Sequence, residues 1–150
     1  MNRVVIIGSG NLAEALARAL AAARGLQLVQ IHARNEERGR EVAHIAGCAW
    51  SGDPAALAPA DLYLIAVSDR AVAEVAERLP IPHGAAVAHT AGSVPMEAIP
   101  AKFARRGVFY PMQTFTKGRA VDFRPIPIFL EASTPELLAE LEEVAQRLSD

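Results

Sequence analysis

Residues 4–14 read VVIIGSGNLAE, and no other stretch limits the possible folds of the chain as tightly. Val4, Val5, Ile6 and Ile7 form an unbroken β-branched run, the pattern of a strand buried on both faces. Gly8, Gly10 and Ala13 then fit G-x-G-x-x-A, and helical periodicity starts at once. A glycine at position 8 permits a tight turn, and one at position 10 leaves room for a diphosphate to approach the backbone. Ala13 lets the helix lie close to the strand, while the free N–H groups of its first turn face the anion. Small residues are common, so the motif alone carries little weight. Its place after a strand and before a helix makes it a candidate dinucleotide site, with Ser9, Asn11 and Leu12 completing the turn.

Length and composition narrow the class. At 150 residues the chain is read as one domain, 1–150, able to bury roughly 70% of its unfolded surface. Basic residues are scattered without interleaved aromatics and the net charge is −2, which argues against a nucleic-acid surface. The single Cys48 excludes an intramolecular disulfide framework and reads as a small core residue. The N-terminus runs directly into the first strand, leaving no room for a signal peptide, and no apolar run nears the ~20 residues of a membrane span. A cytoplasmic protein without membrane partners is the expectation.

Strand and helix patterns alternate through the first ninety residues. Leu12, Leu16 and Leu20 share a stripe with Ala13 and Ala17, and Glu14 and Arg18 pair on the opposite side. Strands are predicted over 26–31, 48–50, 61–67, 85–89, 108–110 and 126–130. Helices are predicted from Asn35 to about Ile45, after an Asp53 cap, after an Asp69 cap, and from a Ser133–Glu136 capping box to Leu148. The stretches 80–82 and 117–127 read as loops. This order requires an α/β fold, a doubly wound, mostly parallel sheet with its strand C-termini on one edge. Gly8, Arg34, Ser68, His89 and Tyr110 converge there by topology, and Val67, Thr90 and Ser93 stand beside them.

The second strand tip discriminates between cofactors. NAD sites of this kind place a carboxylate there, but the sequence reads His32-Ala33-Arg34-Asn35, with Arg38 one turn later. Arg34 is positioned to meet a 2′-phosphate, Asn35 lies next to it, and Arg38 adds a second charge, so NADP is expected over NAD. The competing reading pairs Arg34, Arg38 and Arg40 with Glu36, Glu37 and Glu41 on a solvated helix face. S-adenosylmethionine also uses glycine-rich first turns, but its ribose too is normally held by the missing acid.

Chemistry at the other strand ends is less defined. His89 could protonate a reduced carbonyl or imine, or could hold its loop by bonding a nearby carbonyl. Thr90 and Ser93 flank Ala91-Gly92, a small pair that admits a nicotinamide ring, and Ser93 joins His89 and Tyr110 as a candidate catalytic residue. Asp69 reads as a cap or a catalytic acid, and Tyr110 as packing or chemistry. His32, His44 and His83 are dispersed, and no metal-ligand spacing or nucleophile elbow occurs. A reductase needs little else, because its cofactor carries the reactive electrons.

The segments GSGNLAEALARAL, LYLIAVSD, HTAGSVPMEAI, GVFYPMQTFTKG and FRPIPIFLEAS resemble, in that order, a Rossmann-like NADP oxidoreductase family of bacterial proteins. That family carries a C-terminal domain of unknown function and is similar to pyrroline-5-carboxylate reductase and the deazaflavin-dependent NADP reductases. The resemblance implies an NAD(P)-binding fold with its glycine loop at Gly8 to Ala13 and a pocket completed near Ser68 and His89. It also implies a further helical domain that pairs two subunits and closes the active site, whereas this sequence stops at Asp150. Cofactor binding is therefore expected to survive better than turnover. Two functions stay open: an oxidoreductase acting on a small carbonyl, imine or alcohol, and a non-catalytic nucleotide-binding module. An interaction domain built on the last helix is a third, and an unpaired sheet edge could favour a homodimer.

Overall fold

In a computed structural model, which describes residues 1–118 and 121–149, the β-branched run forms the central strand β1 (Arg3–Ile7). Alternate side chains serve opposite faces: Val4 and Ile6 join one core cluster, Val5 and Ile7 the other. Both faces must therefore be covered, and each fully buried Val or Ile contributes roughly 1.5–3 kcal/mol. Helices α1 (Asn11–Ala22), α2 (Glu36–Ala46) and α4 (Pro135–Leu148) cover the first face through Leu16, Val42 and Leu141. Helix α3 (Val72–Arg78) covers the second with Val72 and Val75, helped by Ile99 and Phe103.

The other strands are β2 (Gln27–His32), β3 (Ala49–Ser51), β4 (Leu62–Ile65), β5 (Ala86–His89), β6 (Arg106–Pro111) and β7 (Ile128–Ala132). Their order is β3-β2-β1-β4-β5-β6-β7. The first six strands run parallel and β7 returns antiparallel to β6. The winding direction reverses between β1 and β4, the place where open α/β sheets bind ligands. The fold class read from the sequence is the one observed.

Strand and helix bounds differ from the sequence reading by one or two residues in most places, and four local readings need correction. Glu14 pairs with Arg18 as read, but it is buried rather than turned away from the packed interior: it is 1% exposed and also bonds Arg38 and the Gly118 N–H. Asp69 does not cap a helix with its side chain; it begins a short 3₁₀ turn, Asp69–Ala71, and its carboxylate accepts from Ser93 Oγ at 2.8 Å. The cap of α4 is Thr134, whose Oγ1 accepts from Leu137 N, so Glu136 falls one position early for a capping box. Ser133 instead accepts from Arg106 N and donates to Ala104 O. The last helix buries Leu137, Leu141, Val144, Ala145 and Leu148, which makes its apolar stripe core and removes it as an interaction face. Within the 117–127 loop, residues 119 and 120 lie outside the described residues.

Candidate active site

The carbonyl of Ala66 comes so close to the end of β1 that a Cβ on Gly8 would lie 2.2 Å from its oxygen. Gly8 also has φ +126°, a conformation side chains resist, so the turn out of β1 depends on glycine twice over. Gly10 differs. Its φ of −78° and ψ of −169° suit any residue, and a Cβ built there meets nothing within 4 Å. The space beside Gly10 is open. Gly10 is also the N-cap of α1 and offers no side-chain acceptor, which leaves the helix's first N–H groups and its positive dipole end for an anion.

That open space belongs to a cleft of about 410 Å³ at the C-terminal edge of the sheet. Of the residues singled out for cofactor binding, Gly8, Ser9, Gly10, Asn11, Leu12, Arg34, Asn35, Val67, Ser68 and Thr90 all line it. Arg34 is exposed at the tip of β2, and no described carboxylate pairs with it. Its backbone is steadied from both sides. Trp50 Nε1–H donates to the Ala33 carbonyl at 3.1 Å, and Asn35 caps α2 by accepting from Arg38 N.

Two of the expected binding residues lie outside the cleft. Arg38 does not line it, because its guanidinium is taken by Glu14 at 2.8 Å and by Glu41. The solvated-face reading holds for Arg40, which pairs with Glu36, and in part for Arg38, but it fails for Arg34. His89 is fully buried. Its Nδ1 accepts from Ala91 N at 3.1 Å, which leaves Nε2 to donate to the Pro95 carbonyl at 3.2 Å. Burial pushes the ring's pKa down, against raising contributions from the Pro95 and Val94 carbonyls. Both nitrogens are used, so His89 holds the 89–95 loop and has no N–H left for a substrate.

The other catalytic candidates are also displaced. Ser93 is tied to Asp69 and does not line the cleft, and neither does Tyr110, which is half-buried. The Tyr110 ring lies so near Gly92 that a Cβ there would sit 2.4 Å from Cε2. Gly92 thus makes room for the Tyr110 ring and does not itself line the cleft. Thr90 donates its hydroxyl to the Ile65 carbonyl and Ala91 borders the cleft. Sequence reasoning missed His32, Val75, Arg78 and Leu79, which line the cleft beyond the glycine turn. Their signal was position: His32 precedes Ala33-Arg34, and the other three share a face of the helix that follows β4.

Residues 3–91, more than half of the chain, match the family described as NADP oxidoreductase, coenzyme F420-dependent. The chain belongs to that family. Among solved structures, a Bacteroides fragilis protein described as an NADP oxidoreductase is 42% identical over 99% of this chain, with a TM-score of 0.91. This chain spans 58% of the length of that relative. Prephenate dehydrogenase of Aquifex aeolicus (14% identity, TM-score 0.83) and arogenate dehydrogenase of Synechocystis (19%, 0.82) share the fold. They match 99% and 97% of this chain, and 58% and 56% of their own. No curated protein matches. The family's nicotinamide dinucleotides suit the cleft's donors: an open glycine turn, a helix N-terminus and an unpaired arginine. No described helix is long and apolar enough to cross a membrane.

Proposed function

We propose that residues 1–150 are the dinucleotide-binding domain of an NADP-dependent oxidoreductase that moves hydride between NADP(H) and a small carbonyl, imine or alcohol. The observation that carries this reading is the pairing of open space at Gly10 with an unpaired Arg34 at the next strand tip. In it, the first-turn amides of α1 and the Ser9–Leu12 turn hold the diphosphate, and the Arg34 fork holds the 2′-phosphate, with Asn35 beside it. Ser68 and Thr90 border the nicotinamide half of the cleft. A bound nicotinamide supplies the hydride chemistry, and the protein's task is to place it and exclude water.

A second reading, a nucleotide-binding module without turnover of its own, draws support from the sealed His89. The titratable side chains lining the cleft are His32, Arg34, Asp69 and Arg78, and Asp69 is engaged by Ser93. In the enzyme reading the substrate's second wall comes from a further domain or a second copy of the chain. Titration with NADPH and NADH tests the cofactor assignment: equal affinity, or preference for NADH, removes the role given to Arg34. NADPH oxidation against a panel of carbonyls, imines and deazaflavins separates the two readings. Turnover selects the enzyme; tight binding without turnover selects the module.

A further inference from the structure

Beyond the glycine turn and Arg34 the cleft continues into a half lined by His32, Val75, Arg78 and Leu79, none of which is needed to hold a diphosphate. His32 ends β2. Ile31 and Ala33 on either side of it point into the core beneath α1 and α2, so alternation sends the His32 side chain to the face covered by α3. The residue is 4% exposed. Its Nδ1 is sealed from solvent without a hydrogen-bond partner, alone in that state among the described side chains. Nε2 is not sealed in this way and bonds no described group, so it borders the cleft that the ring lines.

Burial lowers the pKa of the imidazole and so favours its neutral form, as does the positive charge of Arg78 from α3, against a smaller opposing pull from Asp53. A neutral ring has a single N–H. On Nδ1 it would be a buried donor with no acceptor, which proteins tolerate less well than an unfilled acceptor. The proton therefore belongs on Nε2, and His32 presents a donor to the cleft. Val75 and Leu79, which line the same cleft, are apolar, and the one carboxylate among the lining residues, Asp69, is engaged by Ser93. A group suited to this slot is flat, apolar on its faces and carries an acceptor in its plane.

We infer that His32 reads the base of the dinucleotide, its Nε2–H donating to a ring nitrogen of adenine seated in the slot formed with Val75 and Leu79, with Arg78 at the edge. This rests on the proposed cofactor. Competition calorimetry against NADPH, using 5′-AMP, 2′,5′-ADP and nicotinamide mononucleotide, tests it on the wild type, His32→Leu and His32→Gln. Leucine removes the donor, and glutamine restores an N–H at the same reach. His32→Leu is expected to weaken 5′-AMP and 2′,5′-ADP alike, by about tenfold, as for one lost hydrogen bond. Nicotinamide mononucleotide is unaffected, and His32→Gln recovers most of the loss.

Unchanged 5′-AMP binding by His32→Leu overturns the inference, as does a loss confined to 2′,5′-ADP, which would assign His32 to the phosphate. Should the leucine variant fail to fold, the ¹⁵N resonance of His32 Nε2 in the wild type decides: a shift on adding 5′-AMP supports the contact, and none refutes it. A wild type that binds no nucleotide at all removes the cofactor assignment as well. A wild type that binds NADPH while His32→Leu binds it equally well removes only the base contact.

Discussion

Gly8 and Gly10 are two residues apart in one motif, yet alanine at each should fail in a different way. At position 8 the new Cβ would sit 2.2 Å from the Ala66 carbonyl oxygen, in a backbone with φ +126°. The conformational strain costs about 1–3 kcal/mol. Forcing β1 and β4 apart costs about 1–3 kcal/mol more, as in other overpacked interiors. A total near 4 kcal/mol lowers Tm by about 10 °C in a chain of this length. At position 10 the Cβ meets nothing within 4 Å and the backbone suits alanine, so the loss is limited to a weaker N-cap, about 0.5 kcal/mol. The same methyl group would occupy the volume assigned to the diphosphate. An interference of about 2 kcal/mol raises the NADPH Kd roughly 30-fold. Thermal unfolding and calorimetric titration of both variants give the answer. Gly10→Ala binding NADPH within twofold of wild type would refute the placement of the diphosphate, and Gly8→Ala melting like wild type would refute the packing argument.

Three further outcomes can be checked. Arg34→Ala should weaken NADP⁺ binding at least tenfold, the value of a charge-assisted hydrogen bond of about 1.5 kcal/mol or more, with NAD⁺ unchanged; parallel losses for both would count against a 2′-phosphate contact. Glu14→Gln should lose about 2–3 kcal/mol by chemical denaturation at neutral pH, because it leaves Arg18 and Arg38 short of a counter-charge at a buried position. Burial opposes ionisation of Glu14, but its bonds to Arg38, Arg18 and Gly118 outweigh burial and depress its pKa. A depressed carboxylate stabilises the fold above its unfolded pKa and loses that contribution as pH falls through the native value. The gap between wild type and Glu14→Gln should therefore close in acid, and a gap independent of pH would contradict the network. His89→Ala should lower Tm by several degrees, through two lost hydrogen bonds and a cavity of about 3 kcal/mol in all; an unchanged Tm with a lost reaction would restore it as a proton donor.

The sequence was most informative where backbone chemistry allows few choices. A run of four β-branched residues must be buried on both sides, and the glycine turn that follows leaves one topology for ligand binding. Strand ends were legible only to within a residue or two, because hydrogen bonding to neighbouring strands sets them, as at β7, which starts at Ile128 to match Pro111. Glu14 was misread because helical spacing shows its neighbour Arg18 but not Arg38 or Gly118, which come from elements 24 and 104 residues away.

What the residues themselves determined is the scaffold and the place of the cleft: local steric preference and apolar periodicity depend on neighbours along the chain. Which side chains face that cleft was decided only by tertiary packing. His89 and Tyr110 sit at strand ends like Arg34 and Ser68, yet the 89–95 loop folds back over the first, and the ring of the second lies against Gly92 outside the cleft lining. His32, passed over as one of several dispersed histidines, is turned by strand alternation into the cleft beneath α3. A side chain's chemistry is written in the sequence, but whether its polar atoms are already satisfied depends on partners brought in from elsewhere in the fold.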